Sequence, residues 1–343
     1  MTSASRSNLL FGVGSWRLLL ATLVAASHLW AHMLQGYAAY AVWAFFVLSG
    51  YLMTYVLMHK YGLGVQGLKD FAFNRFIRIY PSYYLTLIFG LIVIVILNNY
   101  CIAGSKLNPE FYMPYGWGWL NPLTLLPVFS RNGLPVAVSN ALSVEIGAYF
   151  LMPLFARSRS TAWLGLVLSA VATSNLGFAV TSFADRYVLF LPCLMSFAVG
   201  SLLCHYRERL LTFVMPKVSF VVWTIHGALW VVYDSWPWTY GLYTSLLLSA
   251  WVTLSLTAYK SSKLDTLLGD VSYPMYLIHT TVAACFLMYF GYGRSFGFFA
   301  ISFAVALAFS ILMAVGVERP LHRLKRHGQV HDSSTALAQQ QNS

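Results

Sequence analysis

Ten apolar runs, each close to the length needed to cross a hydrocarbon layer, divide this chain almost from end to end. They fall at 14–33, 38–58, 79–100, 139–156, 162–180, 186–205, 214–233, 239–259, 271–291 and 296–317. A bilayer core takes about 20 helical residues. Backbone polar groups must be satisfied internally there, so such runs are expected to form helices. Hydrophobic residues make up 59% of the chain and charged ones 9%, with mean hydropathy +0.66, against roughly 25% charge in a soluble domain. The expected fold class is all-α: a polytopic transmembrane helical bundle of about ten spans.

Charge gives this bundle a direction. With a cytoplasmic N-terminus, ten spans return the C-terminus to the same side. Only Lys106, Arg131, Arg186 and Arg294 of the 21 Lys and Arg residues then fall outside. That asymmetry is the positive-inside pattern, and it puts both termini in the cytoplasm. It also accounts for the net charge of +11 through basic loops facing anionic lipid. No concentrated basic domain points to nucleic acid as a partner.

The division expected is a cytoplasmic segment 1–13, a membrane domain 14–320, and a tail 321–343 that is basic, then polar and disordered. No cleavage site precedes a short apolar core, so the first span is expected to be retained. Cys101, Cys193, Cys204 and Cys285 lack metal-ligand spacing, and no metal is expected. No internal repeat is evident, which disfavours an inverted-repeat transporter. The stretch 101–138, rich in Pro, Gly, Trp and Tyr, reads as an ordered cap or re-entrant loop on the outer side. Its rings suit either an interfacial belt or a stacking surface for carbohydrate.

Ionisable residues inside these runs are the functional candidates, because each is costly there. Arg17 and His28 stand eleven residues apart in the first run. Eleven helical steps are three turns plus about 20°, so both project from one face, about 16.5 Å apart along the axis. A snorkelling arginine and a packed histidine would share that spacing. Arg75 and Arg78 lie one turn apart just before Pro81, at the depth where Arg17 enters. Three guanidinium groups there suit phosphates, through bidentate contacts; positive-inside anchoring is the plainer alternative. The Arg17–His28 distance is comparable to the reach of a pantetheine arm, so a CoA thioester held at the arginines would bring its acyl carbon near His28. Glu145, in SNALSVEIGAYF, lies about six residues inside the outer end of its run and is expected within one helical turn of His28 in depth. It could orient the imidazole, or serve as a partner for Tyr or Ser hydroxyls.

These blocks resemble the acyltransferase-3 family of integral membrane O-acyltransferases. Arg17-x10-His28 resembles its first-span signature, and Phe45-Phe46-Val47-Leu48-Ser49-Gly50-Tyr51 its FFxxSG[FY] block. Arg75-x-x-Arg78-Ile79-x-Pro81-x-Tyr83-Tyr84 is similar to its RxxRIxPxYY block. Ser143-Val144-Glu145 matches the SVE core of WSLSVEEQFY. Ser272 to His279 resembles SYxxYLxH, and Glu318-Arg319-Pro320 the closing ExP. Three departures stand out. Val13 and Gly14 replace an acidic residue before the arginine, Asn140 replaces the tryptophan, and Ile146 replaces the second glutamate.

The resemblance implies transfer of an acyl group, usually acetyl from acetyl-CoA, to a hydroxyl of an extracytoplasmic or lipid-linked carbohydrate such as exopolysaccharide or O-antigen. It implies His28 as general base, Arg17 at the CoA end or shaping the channel, Arg75 and Arg78 on CoA phosphates, and Glu145 as orienter of His28. Ser49, Tyr276 and His279 would line the channel, His279 being equally readable as a satisfied core residue. The expected partners are acyl-CoA, a glycan acceptor and membrane lipid, and the expected location is a bacterial inner membrane. Without the fused extracytoplasmic esterase-like domain of some members, the transfer is expected to finish in the membrane domain or with a separate partner. The main rival is a transporter or flippase of a lipid-linked sugar, which needs no imidazole at catalytic depth above a run of arginines. A structural subunit fits poorly with so many intramembrane charges.

Overall fold

The computed structural model describes residues 11–33, 36–127, 132–176, 189–232 and 241–326. Among these it is helical, with no strand. The principal helices are α1 (Val13–Leu29), α2 (Tyr37–Val56), α3 (Val65–Asn99), α4 (Leu120–Thr124), α5 (Ser139–Arg157), α6 (Arg159–Asn175), α7 (Phe190–His205), α8 (Pro216–Val232), α9 (Leu242–Thr257), α10 (Lys263–Cys285) and α11 (Phe296–Met313). Apart from the short α4, each corresponds to one apolar run of the sequence. Three are long and apolar enough to cross a membrane: Tyr37–Tyr61, Val65–Asn99 and Phe296–His322. A fourth arises if Arg207–Phe213 and Pro216–Leu229, bent by 82°, count as one broken span. The others fail on length or on polarity. Helix α9, for example, has 16 residues and buries Ser245, Ser249, Thr253 and Ser255.

Helix α3 departs most from the sequence expectation. It begins at Val65, fourteen residues before the apolar run, and extends over 35 residues, about 52 Å. The stretch Lys69 to Arg78, which lies ahead of the apolar run, is helix as well. Its polar residues conceal this in the sequence, but they are held. Asn74 Nδ2 donates to the Arg326 carbonyl and Asn74 Oδ1 accepts from the Arg326 N–H, both at 2.9 Å. Asp70 faces the Arg326 guanidinium at 3.4 Å.

Close helix crossings come from glycines. A Cβ on Gly50 of α2 would lie 2.3 Å from the Phe197 carbonyl oxygen of α7, and one on Gly200 of α7 would lie 2.1 Å from that of Val47. Helices α1 and α10 approach in the same way, with a Cβ on Gly14 only 1.7 Å from the Asp265 carbonyl oxygen. Small residues that bring backbones together are the usual means of helix association in lipid. The first turn of α1 has no local side-chain cap. The Asp265 carboxylate of α10 accepts instead from the N–H groups of Gly12, Gly14 and Ser15 and from the Ser15 hydroxyl, at 2.7–3.1 Å. This satisfies donors that every helix start leaves open.

The described part of the aromatic stretch between α3 and α5 folds back along α3. Leu107 and Phe111 pack with Leu29, Val93 and Phe298. The chain then descends, and the hydroxyls of Tyr80, Tyr83 and Tyr84 on α3 donate to the carbonyls of Thr124, Pro122 and Leu123 at 2.8, 2.6 and 2.7 Å. Tyr83 lies ten residues before Val93 on one helix, so the descent is about 15 Å. The Leu134 N–H, donating to the Glu110 carbonyl at 2.7 Å, closes the neck. The carbonyls of Pro122, Leu123 and Thr124 are ones that the five-residue helix α4 leaves open at its C-terminal end, and the tyrosines of α3 satisfy them.

Candidate active site

Helices α1, α2, α3, α5 and α10 surround a cavity of about 350 Å³. Its apolar wall comes from α2, through Val42, Phe45, Leu48, Leu52 and Met53. Arg17, Arg75 and Arg78 line it at the end where α1 starts. Among the described residues, the ion pairs are Arg207–Glu208, Arg319–Asp270 and Arg326–Asp70; none involves these three. Arg75 lies against the Phe71 ring, 5.8 Å from its centroid, and its buried Nε has no hydrogen-bond partner. Acidic groups are near without pairing: Arg17 lies within charge range of Glu318, Glu145 and Asp270, as well as Arg78. Glu318, nearly buried at the end of the π-helical turn Ala314–Glu318, accepts from the Ser82 hydroxyl at 3.2 Å. Beside this group, Lys325 has its ammonium pulled down to about 8 by burial and by the charges of Arg78 and Arg75. Three guanidinium groups lining one end of the cavity are chemically suited to bidentate contacts with an anion such as phosphate.

Glu145 belongs to this end. Its Oε1 accepts from Ser49 Oγ at 2.7 Å and from the Tyr149 hydroxyl one turn along α5. The expected pairing with His28 is not made, and the reason is geometric. The Tyr276 hydroxyl of α10 donates to the Val138 carbonyl, just ahead of α5. Glu145 lies seven residues beyond that point in one direction, about 10 Å, and His279 three residues beyond it in the other, about 4.5 Å. The spans are not flush, so equal distance from the helix ends did not mean equal depth.

The partner of His28 is His279. Their Nδ1 and Nε2 atoms are 3.0 Å apart, with ring centroids at 5.3 Å and planes 21° from parallel. His279 is wholly buried, and its Nδ1 lies 3.2 Å from the Met275 carbonyl oxygen. The Arg294 guanidinium donates to the His28 carbonyl at 3.2 Å, a cation at the C-terminal end of α1 where the helix dipole favours one. Ser49 and Tyr276 line the cavity, whereas His28 and His279 are not among its lining residues. Tyr276 is the link between the two ends. It meets Phe45 edge to face at 6.3 Å and the His279 ring at 6.4 Å.

Asp265, Tyr149 and Lys325 were given no role by sequence reasoning, and Glu318 was quoted only as the first residue of the ExP block. Tyr149 also carried a signal, at the position of the closing tyrosine of WSLSVEEQFY. Asp265 supplies a carboxylate at the start of α1, near where Val13 and Gly14 depart from the acidic residue usual in the resembled family.

The acyltransferase-3 family, described as an acyltransferase domain, matches residues 11–315, in agreement with the resemblance carried by the six blocks. A curated relative, named "Putative peptidoglycan O-acetyltransferase YrhL" from Bacillus subtilis (strain 168), is 33% identical over 118 residues. That segment covers 32% of this chain and 18% of the relative, so the match spans under a fifth of that protein's length. No solved structure matches.

Proposed function

Because this chain belongs to the acyltransferase-3 family, we propose that it moves an acetyl group from cytoplasmic acetyl-CoA to a hydroxyl of an extracytoplasmic or lipid-linked carbohydrate. Exopolysaccharide and O-antigen are the acceptors in view, and the relative's name adds peptidoglycan. The setting is a bacterial inner membrane, with ten helices serving as spans and both termini in the cytoplasm. The observation that supports this reading best is the contrast along α1. Guanidinium groups without carboxylate partners face the cavity at one end, and an imidazole stands eleven residues away at the other.

Each residue then has a task. Arg75 and Arg78 hold the phosphates of the donor, with Lys325 beside them. Arg17, fixed by the Asp265-capped turn that precedes it, holds the donor at the cavity mouth. The thioester arm lies along the apolar wall of α2 and reaches past Phe45 and Tyr276. His28 takes the proton of the acceptor hydroxyl as its oxygen attacks the thioester carbonyl. Glu145 stays with Ser49 and Tyr149, balancing charge near Arg17 rather than orienting the base. The direct test is transfer of labelled acetyl from acetyl-CoA to envelope glycan by the purified protein in vesicles. Transfer that depends on His28 supports the reading. Movement of a lipid-linked sugar without acylation would replace it with the transporter.

A further inference from the structure

Two imidazoles in contact must settle which one donates. The Nδ1 of His279 faces the Met275 carbonyl oxygen at 3.2 Å. A carbonyl oxygen only accepts, so the proton of His279 sits on Nδ1, and in the neutral ring Nε2 is a bare acceptor. That atom faces His28 Nδ1 at 3.0 Å, which must therefore donate. By the same rule, His28 Nε2 keeps its lone pair. The bonds run one way, from His28 to His279 to a backbone carbonyl that cannot ionise.

We infer that His279 is the positioning residue of the reaction, fixing His28 in the tautomer whose Nε2 can take a proton from the acceptor hydroxyl. This rests on the reading of His28 as the base. Among the described residues no carboxylate bonds to the His28 ring: Glu145 is engaged by Ser49 and Tyr149, and Arg294 touches the His28 carbonyl rather than its ring. A neutral acceptor also suits the surroundings. A buried carboxylate would need a charge partner of its own, whereas His279 Nε2 supplies a lone pair without one. Once His28 is protonated, the bond from its Nδ1–H becomes charge-assisted and shortens, so the pair stabilises the imidazolium as it forms.

The step closes without leftover protons. The acceptor O–H bond breaks and its proton goes to His28 Nε2. The oxygen electron pair forms the new C–O bond to the thioester carbonyl. The C–S bond breaks, and the thiolate leaves with its electron pair and recovers the proton from His28 Nε2. An ester and a free thiol result, and the proton on His279 Nδ1 never moves.

The test compares His279→Leu, which fills the space without an acceptor, with His279→Gln, whose amide oxygen can reach the position of Nε2. With acetyl-CoA as donor and equal membrane abundance, kcat should fall about 100-fold in His279→Leu, with the donor KM changed less than about twofold. His279→Gln should recover to within about tenfold of wild type, a loss of the size tied to base orientation. Wild-type kcat in His279→Leu, or equal loss in both variants, overturns the inference. An independent readout is the ¹⁵N spectrum of histidine-labelled wild-type protein, assigned by comparison with His28→Ala. The unprotonated nitrogen of His28 should be Nε2; finding it at Nδ1 overturns the inference whatever the activity. Retained transfer in His28→Ala would instead sink the functional reading, and the positioning role with it, while leaving the spectrum interpretable.

Discussion

The two ends of α1 solve the problem of polar groups among apolar helices in opposite ways. At the arginine end, cations line an open cavity and the nearby carboxylates are spoken for. Asp265 caps α1, Asp270 faces Arg319, and Glu145 binds hydroxyls. At the histidine end no carboxylate among the described residues takes part, and the two imidazoles satisfy each other and a backbone carbonyl. An end with unspent charge is suited to receiving a charged ligand. An end with closed, neutral hydrogen bonds is suited to passing a proton. On the proposed reading, the difference separates binding from chemistry by the length of one helix.

If that division holds, the largest effect belongs to His28→Ala. Acyl transfer should drop by about 10²–10⁴-fold, while binding of acetyl-CoA, measured by calorimetry on the purified protein, stays unchanged. Lost donor binding would show that the two ends are not separate. Next come Arg75→Ala and Arg78→Ala, each expected to weaken donor binding by about 1.5–3 kcal/mol, with turnover of bound donor preserved. Wild-type affinity in both would return these residues to membrane anchoring. Glu145→Gln should be mild, since an amide oxygen still accepts from Ser49 and Tyr149. A change of no more than a few-fold, confined to donor KM, is expected, and a collapse of kcat would restore Glu145 to the base. The smallest effect concerns Lys325, whose charge is favoured below about 8 and lost above it. Donor KM should rise modestly as pH passes through that value, and Lys325→Arg should flatten the rise.

The helices were legible because lipid demands apolar runs, and each run became a helix. What the runs could not convey was where helices extend beyond them or how deep each one sits. Val65 to Arg78 lies outside any apolar run, yet α3 extends through it, with Asn74 and Asp70 held by Arg326 from the far end of the described chain. The arginine cluster was legible from spacing, since Arg75 and Arg78 share a helix and Arg17 needed only a matching depth. Glu145 was misplaced because depth was inferred from helix ends. The His28–His279 contact joins residues 251 apart in sequence, and the cap of Asp265 on α1 is similarly remote. Neither leaves a local pattern.

The placement of arginine and imidazole at opposite ends of α1 also bears on energetics. On the proposed reading, the phosphates stay with the arginines, and only an uncharged acyl thioester arm extends along the helix. The proton removed from the acceptor departs on the thiol, so a neutral acyl group is exchanged for a neutral hydrogen. A membrane voltage acts on displaced charge, at about 2.3 kcal/mol per elementary charge per 100 mV, and here no net charge is displaced. Turnover is therefore indifferent to whether the membrane is energised. The reaction is driven by the free energy difference between thioester and ester, and it would continue in a vesicle with its potential collapsed.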